Sequence, residues 1–434
     1  MERYNEYKNS GNYIVGSIPY NWGMVRLKFI CTGFNNGTTA NQIDYADNTV
    51  PVTRIETISN GVVNFNKVGF VEYNDNLDSY KLKRGDVLLS HINSYERVGN
   101  SAVYDSDVDL YHGMNLLRLS PKENINNKYL YIYLKSLCFI LQMQRKCKPA
   151  INQVSVPAKV IKNIFVTYPP LAEQEKIVSY LESKTSKIDA YVEDKEKEIQ
   201  LLQELKQKTI AEAVTKGLNP DVKMKDSGIS WLGMIPEHWE MKQLRSFLSL
   251  FTEKGHGDAQ LLSVTREQGV ILRDKDNKEE NHNFVPEDLS GYKYIEKGDF
   301  AINKMKAWQG SYAVSDYNGI VSPAYFTCKL KGVNKDFFSR AIRSKAYIPF
   351  FTQYSKGIRV DQWDLNPNAL KSIPFLLPPV DEQQAIVAYI EEKCQKIDTL
   401  ITELQAEIDY LKEYKQRLIA DVVTGQVNVQ NETI

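Results

Sequence analysis

Histidine and cysteine are scarce in this 434-residue sequence, with five of each. The cysteines (Cys31, Cys138, Cys147, Cys328 and Cys394) contain no CxxC pair, so no thiolate metal site or redox motif can be assembled, and they read as reduced. No apolar run approaches the roughly 20 residues of a membrane span. The opening MERYNEYKNSGNY lacks the basic and apolar regions of a signal peptide, so a cytoplasmic location is expected. No GK dipeptide occurs, which excludes a Walker A loop, and HExxH, GxSxG and GxGxxG are also missing. Asn219-Pro220-Asp221 and Asn366-Pro367-Asn368 lack the aromatic of an amino-methyltransferase loop, and Pro220-Asp221 with Lys223 lacks the further acid of a nuclease site. The sequence therefore predicts no catalytic residue, no metal and no cofactor on this chain.

Net charge is also missing, but the zero is a sum of unlike parts. Residues 1–170 carry 19 basic and 14 acidic side chains (+5), and 226–379 carry 20 and 18 (+2). Residues 171–225 carry 10 and 11 (−1), and 380–434 carry 5 and 11 (−6). A polyanion would therefore meet the first and third segments.

What the sequence has is a long repeat. Pro169–Asn219 returns as Pro378–Asn428, 209 residues later and without a gap, with 23 of 51 positions identical. A period this long means duplication of a domain-plus-helix unit rather than a solenoid. After each Pro-Pro pair there is no Pro or Gly until Gly217 or Gly425, so both copies read as helices of about 65 Å. In the second copy Ile390, Ile397, Leu404, Leu411 and Leu418 alternate with Cys394, Ile401, Ile408, Lys415 and Val422 at heptad spacing, a coiled-coil seam. The first copy keeps the register through Ile188, Val192, Ile199 and Leu202 but places Lys195 and Lys206 on it, which predicts a weaker seam.

The stretch ahead of each helix is duplicated too. Ile18-Pro19…Trp22 returns as Ile235-Pro236…Trp239 at an offset of 217, so the first lobe is eight residues longer than the second. The IP-x-x-W element predicts a turn leading into a strand, with the Trp packed in the core. Short strands are expected at Thr49–Ile55, Lys67–Tyr73 and Asp86–Leu89, and at Gln260–Thr265, Phe300–Asn303 and Ala324–Lys329. Helical stretches follow at Lys128–Gln144 and Lys335–Tyr347. The marks Arg84-Gly85-Asp86 and Lys297-Gly298-Asp299 match, yet the loops after them differ, HINSYERV against KMKAWQ. One scaffold with two different loops suits a pair of recognition modules. Between Glu123 and Glu173, and again between Asp336 and Asp361, basic residues occur with no acid, mixed with Gln, Asn and aromatics, a composition fit for phosphate contact and base-edge readout.

Two unlike lobes, each closed by PPLxEQxxIxxxL (Pro169–Leu181) or its variant (Pro378–Ile390) and entered through IPxxW, resemble the specificity subunit of type I restriction-modification systems. Val380-Asp381 departs from the Leu-Ala of the first copy. The resemblance spans essentially the whole chain. It implies a mixed α/β (α+β) fold: target-recognition domains at 1–170 and 218–379, and helices at 171–217 and 380–434 forming an antiparallel coiled coil with a pseudo-twofold repeat. It implies a non-catalytic subunit that binds a split double-stranded DNA target with a fixed spacer and directs adenine methylation or restriction. The partners would be two modification (methyltransferase) subunits docked on the helices, with restriction subunits, and S-adenosylmethionine, ATP and Mg²⁺ would be used by those partners. Carried onto this sequence, it places DNA contacts in lobe 1 at His91, Asn93, Ser94, Arg97, Asn100, Arg145, Lys146, Lys148, Asn152 and Gln153. In lobe 2 it places them at Lys304, Lys306, Trp308, Gln309, Lys356, Arg359 and Gln362. The helix residues expected to serve partner binding are Ile188, Val192, Ile199, Leu202, Ile397, Ile401, Leu404, Ile408 and Leu411. The alternative reading is a coiled-coil scaffold with two protein-binding lobes.

Overall fold

The computed structural model describes residues 2–59, 61–150, 153–274, 286–357 and 363–431. They form two compact units, Met1–Lys195 with Ala406–Ile434, and Glu196–Gln405. Each unit is a lobe packed on segments of both long helices, the central helix Leu171–Lys216 and the C-terminal helix Val380–Val423.

In the first unit a four-stranded antiparallel sheet runs in the order Cys31–Asn36, Leu116–Pro121, Val87–Ser90, Ser101–Val103. The second unit builds the same sheet from Leu248–Phe251, Phe326–Leu330, Phe300–Ile302 and Tyr312–Val314. In both, the strand after the Trp pairs with the strand just before the Pro-Pro turn, Gly23–Arg26 with Phe165–Tyr168 and Glu240–Gln243 with Pro374–Leu377. The ladders between named strands are all antiparallel among the described residues, so the expected mixed fold takes the α+β form.

The core of each lobe continues into the helices. Trp22, Leu89, Leu119, Tyr129 and Phe139 are buried with Ile177 and Leu181 of the central helix and with Leu418, Val422 and Val423 of the C-terminal helix. Trp239, Phe300, Phe338 and Phe375 are buried with Ile386 and Ile390, and with Ala213 and Val214. Each fully buried large apolar side chain is worth about 1.5–3 kcal/mol, so this burial fixes the helix ends to their lobes.

The repeated Pro-Pro…Glu-Gln motif has a structural reason. Gln174 donates to Pro169 O at 2.9 Å and accepts from Asn126 N at 2.9 Å, tying the first turn of the long helix to the N-cap of a lobe helix. Gln383 does the same with Pro378 O at 2.8 Å and Asn334 N at 3.0 Å. The preceding glutamates hold the Trp end of the lobe. Glu382 accepts from Trp239 Nε1 at 2.9 Å. Glu173 accepts from Tyr4 Oη and, at 3.0 Å, from Gln430 Nε2, while its Oε2 and Trp22 Nε1 find no partner.

Two sequence expectations need correction. The stretches Lys128–Gln144 and Lys335–Tyr347 are each broken by a serine with ψ 152°, into Asn127–Lys135 and Leu137–Gln144, and into Lys335–Arg343 and Ile348–Tyr354. Ser136 and Ser344 each donate to the carbonyl three residues back at 2.7 Å, an alternative to continuing the helix. The segment 380–434 is helical only to Val423, because Gly425 turns left-handed at φ 74° and a Cβ there would sit 2.3 Å from Pro19 Cδ. Val427 and Val429 beyond it are buried in the lobe 1 core.

The lysines expected to weaken the seam are matched across it. Lys206 meets both carboxylate oxygens of Asp398 at 2.6 and 2.7 Å, and Lys415 meets those of Asp189 at 2.6 Å. The 209-residue offset exchanges the two pairs. Lys195 lies 3.9 Å from Glu407. With Tyr191 Oη donating to Glu407 at 3.0 Å, these contacts run in the antiparallel sense.

Candidate nucleic-acid interface

In lobe 1 a small three-stranded sheet joins the two segments singled out in the sequence. Ile92–Asn93 pairs with Gln153–Ser155, which pairs with Lys148–Ala150, so Asn93 lies opposite Val154. The loop after Asn93 is a tight turn: Arg97 N and Val98 N donate to Ser94 O, and Gly99 N donates to Ser90 O. Gly99 sits at φ 94°, and a Cβ there would lie 2.9 Å from Ile140 Cδ1, so the loop rests directly on the helix beneath it. Asn93 donates to Ser90 Oγ at 3.0 Å and accepts from Ser94 N at 2.9 Å. Asn93, Ser94 and Asn100 are half-buried, whereas Arg97, Lys146, Lys148 and Gln153 project into solvent. Arg145 is exposed with its guanidinium 4.4 Å from the ring of Tyr13. Asn152 lies outside the described residues.

His91 is turned inward, a correction to its expected role as a DNA contact. It is 6% exposed, and its Nδ1 lies 3.3 Å from Val156 O. Burial pulls its pKa below the ordinary imidazole value, partly opposed by that bond, so it is neutral at pH 7.

Lobe 2 brings its two segments together by different contacts. Leu365 N donates to Lys304 O at 3.1 Å, Lys304 pairs with Asp364 at 3.0 Å, and the Trp308 and Trp363 rings lie 5.3 Å apart. Thr352 Oγ1 donates to Trp308 O at 3.0 Å, fixing the same loop to the helix behind it. Lys304 is thus half-buried and already matched by a carboxylate. Lys306 and Lys356 are exposed, and Trp308 and Gln309 are half-buried. Arg359 and Gln362 lie outside the described residues. Gln309 borders a groove of about 1060 Å³ that also takes in Arg266, Arg340, Lys345 and Gln203. Arg343, part of the acid-free run, is occupied with the main chain, donating to Tyr312 O, Arg266 O and Glu267 O at 2.8–3.1 Å.

The helix residues expected to meet partners form the inner seam. Val192, Ile397, Leu404 and Ile408 are buried, and Ile188, Ile199, Leu202, Ile401 and Leu411 are half-buried. The large apolar side chains left exposed on the same helices are others, Leu201, Leu205, Leu400 and Val380 in one unit and Tyr410, Tyr414, Tyr191 and Leu171 in the other. The 209-residue offset maps each set onto the other.

Sequence reasoning missed Asn36. It is exposed at the end of the strand Cys31–Asn36, yet its amide reaches His91 Nε2 at 3.4 Å and Met114 O at 2.7 Å. No periodicity or motif marks it; the run FNNG signals only a turn. Among the described residues no group of three His, Cys, Asp or Glu could hold a metal ion, and no helix is long and apolar enough to cross a membrane.

With this geometry in view, the comparisons are consistent. The sequence profile of the type I restriction modification DNA specificity domain matches residues 19–201. The chain is 29% identical over 433 residues to a putative type I restriction enzyme MjaX specificity subunit of Methanocaldococcus jannaschii, covering 96% of each. It is 24% identical over 442 residues to the type I restriction enzyme EcoKI specificity subunit of Escherichia coli, covering 96% of this chain and 91% of that one. Among solved structures, a chain from a study of complex assembly and conformational transition of the type I R-M system superposes with a TM-score of 0.65 at 16% identity, over 94% of this chain and 99% of that chain. The HsdS subunit from Thermoanaerobacter tengcongensis superposes at 0.50 and 15% identity, over 94% of this chain and 98% of that one. The duplicated lobes, the paired helices and these likenesses together make the chain similar, over nearly its whole length, to the specificity subunits of type I restriction-modification systems.

Proposed function

We propose that each lobe binds one half of a bipartite duplex DNA sequence and that the paired helices fix the spacer between the halves. The observation that carries this reading is that each lobe brings two loops together, lobe 1 through a small antiparallel sheet and lobe 2 through the Leu365 N–Lys304 O bond and the Lys304–Asp364 pair, with Arg97, Lys146, Lys148 and Gln153 exposed on the first and Lys306 and Lys356 on the second. Phosphate contacts by Arg97, Lys146, Lys148, Lys306 and Lys356 would set the register, and Asn, Gln and Trp side chains would contact base edges. The chain is the non-catalytic, sequence-reading member of a larger complex. Two modification subunits dock on the helices and methylate adenine with S-adenosylmethionine, and restriction subunits use ATP and Mg²⁺. The test is methylome sequencing of cells carrying the whole complex, with DNA affinity of the purified complex measured against salt. One bipartite motif, and binding that weakens steeply with salt, are expected. Salt-independent binding, or methylation without a fixed motif, rejects the reading.

A further inference from the structure

The strand Cys31–Asn36 ends in an unusual piece of backbone. Its pairing with Leu116–Pro121 slips between Arg118, opposite Asn35, and Leu119, opposite Gly33, which leaves Phe34 as the extra residue of a bulge, and there Gly33 and Phe34 both adopt positive φ, 86° and 54°. Phe34 is the one non-glycine residue with positive φ among the described residues. Such a conformation costs of order 1–3 kcal/mol in a bulky residue, and bulges of this kind re-aim the side chains that follow. The next turn is fixed as well, since a Cβ on Gly37 would lie 1.8 Å from His112 O. The backbone is therefore held in place to deliver Asn36 beside His91, at the foot of the loop His91–Asn100.

The hydrogen bonds there have one consistent assignment. The buried imidazole has Nδ1 3.3 Å from the Val156 carbonyl, which can only accept, so the proton sits on Nδ1 and Nε2 carries a lone pair. Asn36 Nδ2 then donates one hydrogen to His91 Nε2 at 3.4 Å and the other to Met114 O at 2.7 Å. Both N–H groups of an exposed asparagine are spent inside the protein, and its carbonyl Oδ1 is left as an acceptor of fixed orientation. In lobe 2 the position 217 residues on is Glu253, an acceptor 2.9 Å from His256 Nε2.

We propose that Asn36 reads one base of the lobe 1 half-site, with Oδ1 accepting from an exocyclic amino group in the major groove and His91 as the positioning residue that prevents the amide from turning over. This rests on the reading of lobe 1 as a DNA-binding module. An asparagine with a free amide pairs bidentately with adenine N6 and N7; with its N–H groups committed it behaves as an acceptor only, and the base it selects is one that offers an amino hydrogen, cytosine or adenine, over guanine or thymine.

The experiment uses the whole complex. Asn36→Ala is expected to relax the methylated motif at one position of one half-site, and to lower discrimination at that position about 10- to 100-fold in binding assays with single-base variants. Asn36→Asp has no N–H to give His91 Nε2 or Met114 O, so it loses the fixed orientation and is expected to relax the same position as Asn36→Ala. His91→Phe keeps the buried ring but frees the amide, and is expected to admit guanine or thymine at that same position while the rest of the half-site is read as before. A purely structural role for His91 would instead weaken every position of the half-site alike. An unchanged motif in Asn36→Ala or in Asn36→Asp overturns the proposal. The double variant Arg97→Ala/Lys148→Ala separates the two readings: if it alters DNA binding while Asn36→Ala does not, only this inference falls, and if neither does, lobe 1 is not a DNA module.

Discussion

Trp22 and Trp239 stand at matched places in their lobes, both almost completely buried, and differ in one hydrogen bond. Trp239 donates to Glu382, while Trp22 Nε1 has no acceptor. Replacing each by Phe removes similar packing, but only Trp239→Phe also breaks a bond to a carboxylate. That variant is expected to cost its lobe about 1–2 kcal/mol more, read by urea unfolding with lobe-resolved hydrogen exchange. His112 gives a pH dependence confined to lobe 1. It is fully buried, and burial holds its pKa down at about 4. The unfolded chain binds this proton near pH 6.5 and the folded chain does not, so the stability it contributes is complete above pH 6.5 and is lost as pH falls towards 4. By pH 5 the loss should be about 2 kcal/mol, and His112→Asn should flatten that slope. At this scale the sequence was least informative. The exposure of Lys148 was legible from the acid-free run it lies in, and that of Arg97 from the loop that differs between the lobes. The inward turn of His91 and the carboxylate partner of Lys304 were not legible, because neither the carbonyl of Val156 nor the carboxylate of Asp364 is a neighbour in sequence. Asn36 was invisible because its role comes from a strand bulge and a distant imidazole.

The long helices were the most legible elements, since uninterrupted heptads between a Pro-Pro turn and a glycine leave little freedom. The serine breaks at Ser136 and Ser344 were not, because a serine inside a helical pattern is ordinary until its ψ is known. The seam makes two further outcomes specific. Lys206→Ala or Asp398→Ala should each cost at most about 1 kcal/mol, because both side chains are partly exposed. Lys206→Asp should cost more by placing two acids together, and adding Asp398→Lys should restore most of the loss in a double-mutant cycle. As a spacer, the antiparallel pair can lengthen only if both helices do. Matched seven-residue insertions after Glu198 and after Gln405 add about 10 Å while keeping the heptads, roughly three base pairs. Methylome sequencing should then show the same half-sites with a longer gap. An unchanged gap would mean the helices do not set it, and an insertion in one helix alone should abolish methylation by shearing the seam.

At the scale of the whole molecule, the duplication legible in the sequence explains why two lobes share one sheet order, but it did not reveal that the two compact units differ in how the chain supplies them. The second unit is one continuous stretch, Glu196–Gln405, whereas the first needs Ala406–Ile434 to finish what Met1–Lys195 began. A chain emerging from the ribosome at about 5–20 residues per second can therefore complete the later unit first, while the earlier one waits about 1.5–6 s more with Trp22, Ile18 and Ile177 uncovered. A stop codon at Leu418 should leave lobe 2 protected from protease and lobe 1 digested, although the lost residues lie about 250 positions from the strand and helix residues they cover and about 400 from the Trp. The N-terminal lobe is thus the last part of the protein to mature, and the part most exposed to chaperones and proteases when synthesis is cut short.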